Sequence, residues 1–275
     1  MQLALTGLRL VLPGDRRALD GVSVEIAQGE RVAVIGPSGA GKTSLLRVLG
    51  TALRPSAGSV LLGGSDPWSV PRGDLRRLRA RIGTVHQAPP LPGRQRVVTA
   101  VLAGRLGAWG FWQGLSSLVY PSDLDGARAA LARLDLADRI FDRCDRLSGG
   151  QLQRVGVARV LYQQADLILA DEPVSSLDPL LADLAVGELT RDSQARGATL
   201  VASLHAVDLA LKWFPRVVGL RAGTVLFDCP PVRVNESILR ELYRAEAGVI
   251  PTQDNRPIEA PAPGPRGAAA QPLCR

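Results

Sequence analysis

Eight consecutive residues carry the clearest chemistry in this chain. Positions 36–43 are Gly-Pro-Ser-Gly-Ala-Gly-Lys-Thr, which match the G-x-x-x-x-G-K-[ST] pattern of a phosphate-binding loop. An apolar, β-branched run at 31–35 precedes this loop, and residues 44–49 after it have apolar side chains at helical spacing. Between a strand and a helix, glycines let backbone N–H groups converge on phosphates, and the helix N-terminus favours negative charge. We therefore expect a nucleoside triphosphate site at this phosphate loop.

Two side chains of the phosphate loop have specific expected roles. Lys42 would reach the β- and γ-phosphates, and the hydroxyl of Thr43 would ligate Mg²⁺. The chain contains 33 lysines and arginines, yet only Lys42 and Lys212 are lysines. A lysine therefore persists where a flexible point charge suits phosphate better than a planar guanidinium.

A second candidate site is a pair of acids at the end of an apolar run. Residues 166–170 are typical of a buried strand, and Asp171 and Glu172 follow directly. The strand would bring Asp171 beside the phosphate loop to hold the Mg²⁺ shell, while Glu172 would polarise the attacking water. The alternative is an ordinary strand that ends in solvated acids. The preceding phosphate loop, in the correct chain order, favours the catalytic interpretation.

A third motif is Leu147-Ser148-Gly149-Gly150-Gln151, here called the signature segment. Ser148 is a favourable N-cap for the helix that begins near Leu152, and the two glycines allow the backbone to approach a ligand closely. A helix N-terminus with free N–H groups and a serine hydroxyl could form a second anion site. A Ser-Gly-Gly loop alone is common, whereas the complete five-residue string is specific.

The composition limits the remaining possibilities. The 275 residues suffice for one large α/β domain, or for a domain with a subdomain. The net charge of +7 permits contact with nucleic acid or an anionic membrane, but dispersed surface arginines explain it better. The dense basic stretch at 72–81 lacks the interleaved aromatics of single-strand binding, so we expect no nucleic-acid partner. Cys144, Cys229 and Cys274 are too widely spaced to indicate a disulfide framework or a zinc site.

The pattern along the chain predicts a β-rich start, a central parallel sheet and an inserted helical block. Residues 3–12 and 22–26 predict antiparallel strands, and later apolar runs alternate with helical segments, as in a parallel sheet covered on both faces. Residues 1–247 would form the folded domain, with a helical subdomain at about 88–161. Residues 248–275 are rich in Pro and Ala and are expected to be disordered. No signal peptide and no apolar run of about eighteen residues is apparent, so we expect a cytosolic protein.

Taken together, these motifs resemble those of ATP-binding cassette (ABC) ATPases over roughly residues 3–246. The residues that stand in the family's order are the phosphate loop, Gln87, the signature segment, Asp171-Glu172, Ser176-Leu177-Asp178 and His205. The resemblance implies a P-loop NTPase core of ABC type, with an N-terminal antiparallel β subdomain and an inserted α-helical subdomain. ATP and Mg²⁺ would be the cofactors.

The resemblance also assigns roles to single residues. Glu172, His205 and Gln87 would be catalytic: His205 is the switch histidine at the γ-phosphate, and Gln87 is the Q-loop residue and a further Mg²⁺ ligand. Residues 176–178 would form the D-loop, with Asp178 as its acid, whereas His86 is expected to have no catalytic role. ATP would be bound by Gly36, Pro37, Ser38, Gly39, Ala40, Gly41, Lys42, Thr43 and Ser44, and Mg²⁺ by Thr43, Gln87 and Asp171.

In this family each chain supplies half of each site. Two cassettes would pack head to tail, so that Ser148, Gly149 and Gly150 of one subunit cap the γ-phosphate held by Lys42 of the other. One departure is at Leu12, where such cassettes commonly place an aromatic residue that stacks on adenine. The loss of stacking is expected to reduce base affinity or selectivity without abolishing activity.

Finer similarity is to the ATPases of phosphonate importers. It lies in residues 151–155, 162–173 and 204–211, and in an insert whose Trp109, Phe111 and Trp112 would face a permease or pack in the core. The protein would then be a peripheral subunit at the cytoplasmic face of the inner membrane, working with a membrane permease and a periplasmic solute-binding protein. The alternatives are an importer for phosphate, phosphite or methionine, or a soluble cassette that binds nucleic acid or ribosomes. The ATPase never touches the solute, so no residue here encodes phosphonate recognition.

Overall fold

The computed structural model describes residues 1–110, 123–244 and 250–253. Within them a six-stranded sheet has the order β5-β6-β7-β3-β8-β9, in which β9 alone is antiparallel to its neighbour. Its strands are β3 (Arg31–Ile35), β5 (Ile82–Val85), β6 (Leu167–Asp171), β7 (Thr199–Ser203), β8 (Arg216–Arg221) and β9 (Thr224–Cys229). The expected parallel sheet is therefore present.

A separate three-stranded antiparallel sheet is built from the N-terminal part of the chain. Its order is β2-β1-β4, with β1 (Leu3–Leu12), β2 (Arg16–Ile26) and β4 (Ala57–Leu62). Apolar residues on one face of β1, among them Leu3, Leu5 and Leu8, are buried against the phosphate-loop side of the core. Gly14 and Asp15 both have positive φ at the turn between β1 and β2, as a tight hairpin requires.

Helices cover the larger sheet and form the block between β5 and β6. They are α1 (Lys42–Leu49), α2 (Arg72–Ala80), α3 (Val97–Leu102), α4 (Leu124–Ala132), α5 (Gly149–Gln163), α6 (Pro179–Arg196), α7 (Val207–Trp213) and α8 (Glu236–Leu242). Among the described residues, none of the helices combines the length and apolarity needed to cross a membrane.

The strands of the larger sheet are buried on both faces. In β6, Ile168 and Ala170 belong to one apolar cluster, while Leu167 and Leu169 belong to another on the opposite face. Alternate side chains of a strand point to opposite faces, so a strand covered on both sides must be apolar throughout. This explains why the strand runs are continuous in the sequence rather than alternating.

Helix α4 ends earlier than the apolar spacing predicts. The pattern indicates a helix from Asp123 to Leu136, but α4 spans Leu124–Ala132 and Asp123 is its N-cap, accepting from the Gly126 N–H at 2.9 Å. Asp135 has φ 53°, a left-handed conformation that a helix cannot continue through. Leu136 is nevertheless fully buried, so its apolar character reflects tertiary packing beyond the helix end.

Several sequence expectations fall on parts of the chain outside the described residues. Phe111 and Trp112 belong to one such part, while Trp109 is half-buried against the larger apolar cluster. Of the predicted tail, the structure describes residues 250–253, where the carbonyl of Pro251 accepts the Val207 N–H at 3.0 Å. The remainder of residues 248–275 lies outside the description.

Candidate functional site

The candidate site lies at the carboxyl ends of three neighbouring strands. The phosphate loop follows β3, Asp171 ends β6 and is followed by Glu172, and Ser203 ends β7, which lies between β3 and β6. In the β-ladder Ser203 is opposite Asp171 on one side and Val34 on the other. Ligand sites of open parallel sheets form at this edge, because the connecting loops leave a crevice there. Residues distant in sequence thus come together by strand order alone.

Two glycines of the phosphate loop are required by its backbone path. Gly36 has φ 153°, and a Cβ added there would lie 2.0 Å from the carbonyl oxygen of Leu220. Gly41 has φ 105°, and a Cβ there would lie 2.4 Å from the carbonyl oxygen of Ala18. Both distances are far below van der Waals contact, so a side chain at either position would clash with neighbouring backbone. Only glycine therefore allows the loop to take this path.

The amine of Lys42 is held inside the phosphate loop. The side chain is 5% exposed, and its Nζ donates to the carbonyl oxygens of Gly36 at 2.6 Å and Pro37 at 3.0 Å. Charged donors make short, strong hydrogen bonds, so these carbonyls fix the position of the cation. The loop therefore presents a pre-positioned positive charge together with its backbone N–H groups.

Oxygen atoms that suit a magnesium ion meet beside the loop. Thr43 Oγ1 donates to Asp171 Oδ1 at 3.0 Å, and Ser203 Oγ donates to the same oxygen at 2.8 Å. Gln87 lines a cavity of about 720 Å³ with Thr43 and Asp171. Mg²⁺ takes hard oxygen ligands and is usually bound by one or two carboxylates plus phosphates and water. Accordingly, no three His, Cys, Asp or Glu side chains cluster as a metal site in the described part of the chain.

Glu172 faces the phosphate loop from the end of β6. It lines a cavity of about 500 Å³ together with Lys42, Thr43 and Ser44. Its backbone has φ 45°, a left-handed conformation that costs an L-residue other than glycine about 1–2 kcal/mol. Its N–H donates to the side-chain oxygen of Ser203 at 3.0 Å and to its carbonyl oxygen at 3.2 Å. The neighbouring strand thus stabilises an unfavourable backbone at the residue expected to be the general base.

A family model described as "ABC transporter" matches residues 19–175. The chain belongs to the ABC transporter family. The protein is 57% identical over 280 residues to the "Phosphonates import ATP-binding protein PhnC 1" of Cupriavidus necator, covering all of both chains. It is 63% identical over 246 residues to the "Phosphonates import ATP-binding protein PhnC 2" of Pseudomonas aeruginosa, covering 90% of this chain and 92% of that one. The resemblance found in the sequence is therefore confirmed.

Solved structures confirm the fold of this ABC protein. A bacterial ABC transporter cassette, MJ0796, solved as a dimer, superposes with a TM-score of 0.73 at 26% identity, covering 83% of this chain and 98% of that one. A post-hydrolysis dimer of the same cassette, bound to ADP and Pi, has the same TM-score. The ABC-type P-loop core predicted from the sequence is thus established.

The signature segment of this ABC chain caps and begins helix α5. Ser148 caps α5 as predicted: its Oγ accepts the Gln151 N–H at 3.3 Å, and Gln151 Oε1 accepts the Ser148 N–H at 2.9 Å. Helix α5 begins at Gly149, slightly earlier than expected. None of the described residues that line the cavity around Lys42 comes from the signature segment. Capped in this way, Ser148 is exposed at the N-terminus of α5.

The D-loop touches the signature segment. A Cβ added to Gly150 would lie 2.9 Å from the carbonyl oxygen of Ser176, so only glycine permits this approach. Leu177 is buried, and Asp178 Oδ1 accepts the N–H groups of Leu180 and Leu181 at 3.1 Å as the N-cap of α6. The structure therefore uses the D-loop acid to begin a helix.

The two histidines lie in different surroundings. His205 is exposed, two residues beyond β7, and lines neither of the two cavities around the phosphate loop within the described chain. His86 is also exposed but lines the cavity of Gln87, and desolvation lowers its pKa from the usual 6.5, partly opposed by the negative charge of Asp171. A neutral imidazole is therefore expected next to the proposed magnesium ligands at pH 7.

The β1–β2 hairpin lines the side of the cavity where the adenine base is expected to bind. Leu12 lines it with Arg16 and Arg17, at the end of the β1–β2 hairpin. Arg17 forms a long ion pair of 3.6 Å with Asp20, in which the side chain of Arg17 is mostly exposed. In place of an aromatic platform, this side of the cavity has an aliphatic side chain and exposed cationic ones.

Sequence reasoning missed two residues that the structure brings into the site. Ser203 bonds both Asp171 and the Glu172 backbone, and Gln153 bonds the Glu172 carbonyl from the other side at 3.0 Å. Ser203 ends a strand two residues before His205, which was a usable signal because that strand leads to the site. Gln153 stands among apolar residues of α5, and a buried amide in such a helix calls for polar partners.

Proposed function

We propose that this chain is the ATP-hydrolysing subunit of a phosphonate importer. The observation that carries the proposal is the convergence of Lys42, the Thr43–Asp171 pair and Glu172 around one loop at the sheet edge. Two relatives named as phosphonate-import ATP-binding proteins, which match nearly the whole chain, support the transport role. ATP is the proposed nucleotide, and phosphonate enters only through the partner proteins.

Hydrolysis is proposed to follow from the placement of three groups. Lys42 and the loop N–H groups bind the β- and γ-phosphates and neutralise charge that develops on them. Glu172, which faces this loop, accepts the proton of the attacking water, and His205 contacts the γ-phosphate from the end of β7. Mg²⁺, bound by Thr43, Asp171 and Gln87, would supply further charge stabilisation at the phosphates.

A complete site is proposed to require a second copy of the chain. The signature segment supplies none of the described residues that line the cavity of its own phosphate loop, and it presents an exposed Ser148 at a helix N-terminus. In a head-to-tail homodimer, that terminus would meet the γ-phosphate bound by the other subunit, where the helix dipole favours negative charge. ATP would thereby join the subunits, and hydrolysis would release them.

The permease is proposed to dock in a basic groove beside the nucleotide site. A cavity of about 750 Å³ lies between α2, α5 and the segment after α3, and Arg72, Arg76, Arg79 and Arg159 line it. None of the described residues that line it is acidic, and burial alone lowers the pKa of Arg159. His86 lines both this groove and the cavity of Gln87. An acidic cytoplasmic segment of the permease would complement the groove and sense the Gln87 loop directly.

Charge reversal in the groove tests this docking site. Arg159→Glu is expected to abolish co-purification with the permease, because it would face an acidic segment with a like charge. Arg77→Glu is the matched control, since Arg77 lies on α2 but pairs with Asp74 outside the groove. Equal retention of the permease by both variants would contradict the placement.

Several arginines of the basic stretch at 72–81 already have partners within the fold, which disfavours their use in nucleic-acid binding. Arg77 pairs with Asp74 and Arg81 with Asp166, each at 2.6 Å, while Arg79 Nε donates to the hydroxyl of Thr51 at 2.8 Å. These contacts neutralise or orient the side chains within the fold. Salt-sensitive binding to nucleic acid would restore this alternative.

The importer function is tested with the full chain assembled on its permease in lipid vesicles. ATP hydrolysis is compared with the solute-binding protein empty and loaded with an alkylphosphonate, phosphate, phosphite or methionine. Stimulation by the alkylphosphonate alone is the expected result. Stimulation by another solute instead would reassign the transported substrate. A failure to assemble with the permease would overturn the transport role while leaving the proposal of ATP hydrolysis intact.

A further inference from the structure

Gln153 is a buried amide that links four functional segments. It lies five residues into α5, the helix that the signature segment begins, and it is 1% exposed. Its Nε2 donates to the carbonyl oxygens of Glu172 at 3.0 Å and Gln87 at 3.3 Å, and to Ser175 Oγ at 3.0 Å. Its Oε1 accepts the N–H of Ser176 at 2.9 Å. One side chain therefore contacts the Q-loop, the proposed base and the D-loop from the signature helix.

These contacts engage both the nitrogen and the oxygen of the amide. An amide nitrogen has two N–H groups, so the three acceptors around Nε2 share them, and the oxygen accepts from the D-loop backbone. Buried polar networks with every member bonded specify one arrangement, because breaking any contact leaves a buried polar group unpaired. Gln153 thus fixes the relative positions of these segments.

The bond to Glu172 has a particular consequence for the proposed base. Its backbone has φ 45°, so the peptide groups on both sides need external partners to hold the direction of the side chain. Ser203 binds the N–H side, and Gln153 binds the carbonyl side. With both ends fixed, the Glu172 carboxylate is directed into the cavity of the phosphate loop.

We propose that Gln153 is a positioning residue for ATP hydrolysis, which orients Glu172 through its backbone carbonyl. The inference rests on the proposed role of Glu172 as the general base. Gln153 touches neither the phosphate loop nor its cavity in the described chain, so it acts through Glu172 rather than on the nucleotide. Its loss should lower the rate of the hydrolytic step and leave ATP affinity unchanged.

The test replaces the amide with an apolar side chain of similar size, using the full-length protein. Gln153→Met is expected to lower the single-turnover hydrolysis rate about 10- to 100-fold, because small displacements of a reacting group cost this much. Its Kd for ATP should stay within about twofold of the wild-type value. Gln163→Met is the matched control, since Gln163 ends the same helix and donates to two backbone carbonyls, of Ala80 and Ile82. The control should lose thermal stability but keep its hydrolysis rate.

A double variant separates positioning from general damage. In a Glu172→Gln background, Gln153→Met should cause no further loss of rate, because two residues that act as one unit are not additive. Additive losses, or an equal loss of rate in Gln163→Met, would overturn the proposal. Full hydrolysis by Glu172→Gln would instead refute the role of Glu172. Should Gln153→Met fail to fold, Gln153→Glu retains the acceptor for Ser176 and removes the donors, and it is expected to show the same loss of rate.

Discussion

The two ends of the nucleotide cavity differ in construction. One is the phosphate end, at the phosphate loop, and the other is the end at the β1–β2 hairpin where the adenine base is expected to bind, here called the base end. At the phosphate end, Gly36 and Gly41 are pressed by neighbouring backbone, and the Lys42 amine is buried between two carbonyls. At the base end, Leu12 and Arg16 stand at a hairpin tip. One end is a closely packed polar loop, and the other combines one aliphatic side chain with exposed arginines.

This contrast indicates where the protein obtains its affinity for ATP. Charge-assisted hydrogen bonds from fixed donors are strong, whereas none of the described residues that line the base end is an aromatic side chain that could stack on adenine. The triphosphate should therefore dominate binding, and the base should add little. Changes at the phosphate end should be severe, and changes at the base end should be mild or even favourable.

The largest effect is expected for Glu172→Gln. Loss of the general base should lower kcat by about 10²- to 10⁴-fold, while the phosphate contacts and ATP binding remain. ATP should then trap the proposed head-to-tail dimer, which gel filtration with and without ATP would detect. Glu236→Gln, on the exposed surface of α8, is the control. A Glu172→Gln protein that remains monomeric with ATP would argue against the dimer.

Lys42→Ala should have the next largest effect, on binding itself. Removing a buried charged donor costs about 2–5 kcal/mol, so the Kd for ATP should rise roughly 30-fold or more in a direct titration. Lys212→Ala is the natural control, because Lys212 is the other lysine of the chain and pairs with Asp183 on the surface. Unchanged affinity in Lys42→Ala would remove the phosphate loop from the site.

Ser203→Ala should have an intermediate effect. It removes one bond to the Asp171 carboxylate and one to the Glu172 N–H, and outer residues of this kind typically contribute about 10-fold to activity. The rise in the Mg²⁺ concentration needed for half-maximal hydrolysis would measure the Asp171 part. Ser193→Ala serves for comparison, since Ser193 is equally buried but its hydroxyl donates to the carbonyl of Thr190 within α6. Identical kinetics of the two variants would exclude Ser203 from the site.

Leu12→Tyr should have the smallest effect and the opposite sign. An aromatic ring at the base end would stack on adenine and gain about 0.5–1.5 kcal/mol, so the Kd for ATP should fall roughly 3- to 10-fold. Val11→Tyr, at the exposed neighbouring position of β1, should leave the Kd unchanged. A stronger gain than this would mean that the base end contributes more than the contrast between the two ends implies.

The same contrast explains what could be predicted from the sequence. The phosphate loop and the strand-terminal acids are contiguous motifs, so their local pattern was sufficient, and strand order then brought Thr43 to Asp171. The family and the fold were likewise predictable and are confirmed. The end of α4 was predicted too late, because Leu134 and Leu136 keep their apolar character through packing beyond the helix.

The contacts of Ser203 and Gln153 could not be predicted in the same way. Each bonds residues far away in the sequence, from positions that look like an ordinary strand end and an ordinary helix interior. Their roles depend on side-chain direction in the packed structure, which spacing does not encode. The contact of His205 with the γ-phosphate remains a prediction, as does the approach of the signature segment from a second subunit.

The left-handed backbone at Glu172 sets activity against stability at a single position. A glycine would adopt φ 45° without steric cost, so Glu172→Gly is expected to keep or raise the melting temperature while it removes the acid. A screen for thermal stability alone would therefore favour inactive variants at Glu172. A glutamate at this position is retained only where transport activity is selected together with stability.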